Sequence, residues 1–232
     1  MIPKTIHYVW FGPSEKPAKV QKNIEDWKSK LPDYNFREWN DQTFPIDTAP
    51  LYVQQANKER KWAFVSDYIR LWVLDEFGGI YLDTDVRVIK SFDDLLGNES
   101  FLGRESESEL CTAVIGSEPH VEWIQALLTD YRQRKFVQQN GGLDLTPNSS
   151  YIKSFLETLG VAEKPKIFPE EYFSPKSFYH FSTQIHETTY CIHEYNATWK
   201  TGQQKAVDFV LRVIGQTLGI NTVVRLKKAF RR

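Results

Sequence analysis

From Lys61 to Phe77 the chain is apolar almost all round. It then runs through Gly78-Gly79-Ile80-Tyr81-Leu82-Asp83-Thr84-Asp85. A helix with Trp62, Phe64, Val65, Ile69, Leu71, Trp72, Val73 and Leu74 spread around it has no wide polar face, so it must be buried. Gly78-Gly79 reads as its glycine stop. Ile80 to Leu82 reads as a short central strand, with Val86 to Ile89 resuming strand character. A buried helix feeding a buried strand restricts the chain to a layered α/β fold.

The flanking sequence agrees. Thr5 to Phe11 is β-branched and aromatic, and Gly12-Pro13 stops it. Lys16 to Leu31 places Val20, Ile24 and Trp27 on one helical face. Tyr34 to Trp39 alternates as a second strand. The resulting β-α-β predicts a parallel pair with a crossover helix. Further helices are expected over 51–58, 121–136, 149–159, 206–218 and 222–230, and strands over 101–103, 112–115, 166–168 and 190–192. The polar, charged stretch from Arg104 to Glu109 reads as a loop near the site.

Lys+Arg is 29 and Asp+Glu 30 in 232 residues, which excludes a globally basic nucleic-acid binder. The charge is uneven. From Phe209 to Arg232 there are six basic residues and no acid, so the chain's −1 leaves −7 on residues 1–208. The expected division is a catalytic or binding body over 1–208 and a basic amphipathic helical appendage over 209–232. The appendage is either a helix pair packed on the body or a peripheral anchor on an anionic inner leaflet. No run approaches the roughly 18 apolar residues of a membrane span. Met1 to Thr5 lacks a signal-peptide layout, so the expected location is cytoplasmic. Cys111 and Cys191 read as buried free thiols, with a disulfide as the alternative.

The chemistry concentrates in four places. Asp83 and Asp85 lie one residue apart after the strand; an extended chain would turn both to one side. Paired carboxylates repel unless a cation lies between them, and oxygen ligands suit Mg²⁺ or Mn²⁺. The carboxyl end of a central strand is where open α/β sheets bind ligands. Asp67 and Arg70 share a face of the apolar helix, either as an internal ion pair or as a grip on sugar hydroxyls and phosphate. His7 and Trp10 belong to the first strand; Trp10 is core or a base-stacking platform. His193, in Cys191-Ile192-His193-Glu194-Tyr195-Asn196-Ala197-Thr198-Trp199, follows a strand and is structural or a ligand.

These pieces, in this order, resemble the glycosyltransferases whose sugar-binding region contains a DXD motif, family 32, with its capsule-type and initiating mannosyltransferase members. The resemblance rests on Ile2 to Gly12, Ala63 to Leu71 and Gly78 to Asp85, with His193 to Trp199 similar to the family's closing His-His-x-x-x-Ser-Trp. It is dense over residues 1–92. It implies a GT-A fold, a Rossmann-like sandwich with a mixed, mainly parallel sheet that binds a nucleotide-sugar. It implies that Trp10 stacks on the base, Asp67 holds hydroxyls, Arg70 meets sugar or diphosphate, and Tyr81 and Thr84 line the pocket. Asp83 would contact ribose and sugar and help place the metal, Asp85 ligate it directly, and His193 and Trp199 close over the diphosphate from the C-terminal side. Two departures stand out: Glu194 replaces the second His, and Ala197-Thr198 replaces Gly-Ser.

The implied activity is a Mn²⁺- or Mg²⁺-dependent retaining hexosyl transfer from a UDP-sugar to a glycan or lipid-linked saccharide, in surface polysaccharide synthesis. Catalysis would be electrostatic and positional. A catalytically silent nucleotide-sugar-binding module is the alternative. A haloacid-dehalogenase-type phosphatase also uses Asp-x-Asp, but Arg87 stands where its Thr or Val belongs.

Overall fold

The computed structural model describes residues 1–12, 15–160, 164–176, 183–195, 202–218 and 222. Strand β1 (Thr5–Val9), helix α1 (Ala18–Lys30) and strand β2 (Asn35–Trp39) form the expected unit, with β1 and β2 parallel and Thr5 opposite Asn35. β1 stops at Val9, and the Trp10 N–H continues the pairing to the Trp39 carbonyl at 2.9 Å. After α2 (Leu51–Lys58), α3 runs from Trp62 to Phe77, with Val65, Ile69, Leu71, Val73 and Leu74 fully buried.

Its stop needs glycine twice. Gly78 has φ +60° and Gly79 φ +105°, and a Cβ on Gly79 would lie 2.6 Å from the Thr5 carbonyl oxygen. That close approach lets β3 (Gly79–Leu82) enter the sheet directly beside β1. The chain continues through β4 (Val86–Val88), β5 (Ser100–Arg104), β6 (Leu110–Ser117), α4 (Glu122–Tyr131), α5 (Asn148–Thr158), β7 (Lys166–Phe168), α6 (Glu170–Phe173), β8 (Cys191–His193) and α7 (Gly202–Leu218).

Six strands form one sheet in the order β2-β1-β3-β6-β5-β7. β1–β2, β1–β3 and β5–β7 are parallel, while β3–β6 and β5–β6 are antiparallel. The sheet is therefore mixed and mainly parallel, and β3 is central to it. β4 and β8 pair antiparallel as a separate ribbon. Helices cover both faces. One core joins α2, α3, α4 and α5 to Val9, Tyr81 and Ile115. The other joins α1 to Ile6, Tyr8, Ile80 and Leu82. Trp27 of α1 is fully buried, and its Nε1–H donates to the Val86 carbonyl at 2.7 Å. Truncating such a residue to Ala costs about 3–5 kcal/mol, and here it would also release the turn before β4.

Two expectations are corrected. α4 ends at Tyr131 and does not reach residue 136. Gln55 Oε1 accepts the N–H groups of Phe136 and Val137 at 2.9 and 3.1 Å, so the chain there exchanges helical bonding for a side-chain acceptor while Phe136 stays buried. α7 begins at Gly202, four residues before the helix expected from 206. The helix expected over 222–230 lies outside the described residues apart from 222. No helix among the described residues is long and apolar enough to cross a membrane. Cys111 and Cys191 are buried free thiols.

Candidate nucleotide-sugar and metal site

Leu82 closes β3, and the next three residues form a turn. The Asp83 N–H donates to the Ala113 carbonyl and the Val86 N–H to the Asp83 carbonyl, both at 2.9 Å. The extended geometry expected for Asp83-Thr84-Asp85 is therefore corrected: the chain reverses into β4. From α1, Asn23 Nδ2 holds the carbonyls of Thr84 and Val86 at 3.0 and 2.8 Å. The carboxylates still converge, because β8 lies against β4 with His193 opposite Val86. Ligand atoms of Asp83, Asp85 and His193 all lie within 4.8 Å of one another.

Arg70 is the hub behind this turn, 4% exposed. Its Nη2 lies 2.8 Å from Asp67 Oδ1 and 3.3 Å from Asp83 Oδ1, and its Nη1 donates to the Thr112 carbonyl at 2.6 Å. The guanidinium also sits 4.7 Å from the centre of the Tyr81 ring. The Tyr81 hydroxyl donates to Asp83 Oδ1 at 2.6 Å, as its position two residues back on the same face allows. Asp67 and Arg70 thus form the internal ion pair of the first sequence reading, and Arg70 also holds the first DXD carboxylate. Burial lifts the Asp67 carboxyl to about 6; Arg70 opposes the rise and the Asp83 charge adds to it. Removing Arg70 would leave two carboxylates without their shared partner, the costly way to break a buried pair.

His193 closes the other side. Its Nε2 lies 3.5 Å from Asp85 Oδ1 and its Nδ1 3.3 Å from Glu105 Oε1. Tyr195 covers the ring at 4.1 Å between centroids, and does so in the left-handed region, with φ 52°. Burial works against a charged imidazole, but the neighbouring Asp85, Cys111 and Glu105 outweigh it and raise the pKa well above the usual value. His193 Nδ1 is buried without a hydrogen bond. Two carboxylates and the imidazole Nε2 that faces them fit a divalent cation with oxygen and nitrogen ligands. Ligation would require the imidazole to give up its proton.

The remaining expected residues divide. Thr84 lies in the turn, half-buried. Trp10 is half-buried just beyond β1, whose carboxyl end runs alongside that of β3. Two residues on, Gly12 lines a cleft of about 420 Å³ with Asp41, Asn57, Lys58, Arg60 and Trp62. A larger cleft of about 650 Å³ between α3 and α4, lined by Tyr68, Trp72, Asp75 and Arg132, includes none of the DXD carboxylates. Trp199 lies outside the described residues, as does Thr198. Glu194 turns away from the site to pair with Arg87 at 3.0 Å and with Lys176. His7 is fully buried between Trp39 Nε1 and the Gly78 carbonyl. Sequence reasoning missed Glu105; the acidic loop from Arg104 to Glu109 was the available signal.

The comparisons with known proteins meet this geometry. Residues 17–102 match the family model described as a glycosyltransferase sugar-binding region containing a DXD motif. An inositol phosphoceramide mannosyltransferase of Schizosaccharomyces pombe is 32% identical over 121 residues, 50% of this chain and 33% of that protein. An uncharacterised glycosyltransferase of Acanthamoeba polyphaga mimivirus is 28% identical over 170 residues, 68% of this chain and 65% of the other. This chain thus spans about a third of the length of the yeast relative. Among solved structures, the PaToxG glycosyltransferase superposes with a TM-score of 0.52 at 24% identity, over 68% of this chain and 72% of that one, and shares the GT-A-like fold. Through its DXD region the chain is related to the DXD-motif glycosyltransferases, fungal mannosyltransferases among them.

Proposed function

We propose that this chain is a retaining, divalent-cation-dependent hexosyltransferase of the family-32 kind. It moves a sugar from a nucleotide-sugar, with uridine as the base, to a glycan or lipid-linked saccharide in surface polysaccharide synthesis. The observation that carries the reading is the meeting of Asp83, Asp85 and His193 at the carboxyl end of β3. Mn²⁺ or Mg²⁺ held by these three residues would offset the charge of a departing diphosphate.

The chain's own residues do the rest. Asp67 and Asp83 pair with one guanidinium and Asp85 adds a third carboxylate beside Asp83, so the site favours positive charge. Arg70 fixes the Asp83 carboxylate and places its own charge behind the phosphates. The Tyr81 hydroxyl holds the same carboxylate in one rotamer. Asp67 and Thr84 accept sugar or ribose hydroxyls, Trp10 stacks on the base, and Trp199 closes over the diphosphate. The acceptor hydroxyl attacks the anomeric carbon from the face the diphosphate leaves, and its proton passes to the departing phosphate oxygen. That route keeps the anomeric configuration and draws its rate from positioning.

We further propose that the enzyme works at the cytoplasmic face of an anionic membrane, close to a lipid-linked acceptor. Val207, Phe209, Val210 and Val213 of α7 are 40–61% exposed, which supports an apolar contact there. The basic side chains of Arg212, Arg225, Lys227, Lys228, Arg231 and Arg232 lie outside the described residues. Removing residues 202–232 should release the protein from anionic vesicles; unchanged vesicle binding refutes the anchor.

The activity is tested with UDP-hexoses and a saccharide acceptor in Mn²⁺, reading the product anomer by NMR. The relatives' names add mannosyl donors to the series. Retained configuration is expected. Inversion overturns the mechanism, and nucleotide binding without turnover of any donor favours the silent module.

A further inference from the structure

We infer that Glu105 is a positioning residue of the cation site: its carboxylate accepts a hydrogen bond from Nδ1–H of His193 and so turns the ring's Nε2 toward Asp83 and Asp85. The inference rests on the cation reading above and concerns how that site is held together. A ligating imidazole offers a bare nitrogen to the ion, so its proton must sit on the other nitrogen, and that N–H needs an acceptor when buried.

Glu105 is the group placed to accept it. His193 lies between two turns from distant parts of the chain. The β3–β4 turn brings Asp85 to 3.5 Å from Nε2, and the β5–β6 turn brings Glu105 to 3.3 Å from Nδ1. Nδ1 is buried, and the contact to Glu105 is short but off the hydrogen-bond axis. A small ring rotation would align it. Cys111 and the Tyr195 ring also face His193. A thiol is a weak acceptor and a ring face weaker still, so the carboxylate is the strong acceptor for Nδ1–H. The Glu105 backbone is itself fixed, its N–H donating to the Glu109 carbonyl at 2.9 Å across the turn.

The test is a double-mutant cycle in Mn²⁺ affinity, measured by electron paramagnetic resonance and calorimetry on the full chain without nucleotide or donor. Glu105→Ala should weaken Mn²⁺ about tenfold or more. Glu105→Gln should recover part of that loss, because the amide oxygen still accepts from Nδ1. In a His193→Ala background, Glu105→Ala should change nothing further. Wild-type affinity in Glu105→Ala overturns the inference while leaving the cation site intact. An equal loss with and without His193 also overturns it, since Glu105 would then act as a ligand or a bare charge. No Mn²⁺ binding by the wild type, or unchanged binding in His193→Ala, sinks the cation reading and this inference with it.

Discussion

His7 is fully buried and His193 largely so, yet both nitrogens of His7 are hydrogen-bonded and Nδ1 of His193 is not. Trp39 Nε1–H donates to His7 Nδ1 at 3.1 Å, which fixes the proton on Nε2, and Nε2–H donates to the Gly78 carbonyl at 2.9 Å. Burial pushes His7 down to about 4, with the Gly78 carbonyl opposing and the Arg37 charge assisting. His7 is a neutral strut that ties β1 to the end of α3. Burial also disfavours charge on His193, but Asp85, Cys111 and Glu105 more than offset it, and its pKa goes up. A buried histidine with neutral, complete partners is packing. One held between carboxylates with a nitrogen unspent marks a place prepared for positive charge.

The strongest way to break this contrast is at the carboxylates. Asp85→Ala should lower turnover at least about a thousandfold, ~4 kcal/mol in the barrier. Its unfolding temperature without metal should stay within about 2–4 °C of wild type, as for the loss of one partly exposed ion pair. A drop of several times that would make Asp85 structural. His7→Phe should do the reverse. It strands Trp39 Nε1 and the Gly78 carbonyl, a loss of about 3 kcal/mol and roughly 6–12 °C in Tm. Mn²⁺ affinity should not move; a parallel loss of affinity would tie His7 to the site.

Acid offers a third comparison. His7 has a folded pKa of about 4 against an ordinary 6.5, so the unfolded chain takes up the proton first as pH falls. Its stabilisation is present above pH 6.5 and is lost on the way down to 4. Between pH 7 and pH 5 this costs about 2 kcal/mol, measured by denaturant unfolding. The slope from this source should vanish in His7→Phe; an equal slope in that variant removes His7 as its origin. The smallest effect is expected at Glu194. Its carboxylate faces Arg87 and Lys176 at half-exposed positions, so Glu194→Gln should cost about 1 kcal/mol or less and leave Mn²⁺ affinity unchanged. A tenfold loss of Mn²⁺ affinity would place Glu194 among the ligands.

The local parts of the fold and site were readable in sequence, because their determinants lie within a few residues of one another. Val20, Ile24 and Trp27 show the face of α1, and all three are buried. Gly78-Gly79 marks the end of α3, and both glycines have positive φ. Asp67 and Arg70 lie on one helical face and form an ion pair. What was not readable depends on separate segments meeting. Glu105 reaches His193 only because β8 lies against β4 beside the β5–β6 turn. The Tyr81 hydroxyl spends itself on Asp83, a choice set by Arg70 packing behind both. Glu194 is one residue from His193, but alternation along the strand turns it to Arg87. The early end of α4 follows from Gln55, far back in the chain, capturing two N–H groups.

The most direct measurement is a thermal-shift series with UDP and GDP, each with and without Mn²⁺, on wild type and Asp85→Ala. Ligand at about a hundredfold over Kd adds ~2.7 kcal/mol, or roughly 5–10 °C in Tm for a chain of this size. A shift of that order with UDP, dependent on Mn²⁺ and absent in Asp85→Ala, is the predicted result. A shift that Asp85→Ala retains in full, or no shift with either nucleotide, would contradict a cation-assisted nucleotide-sugar site at the end of β3.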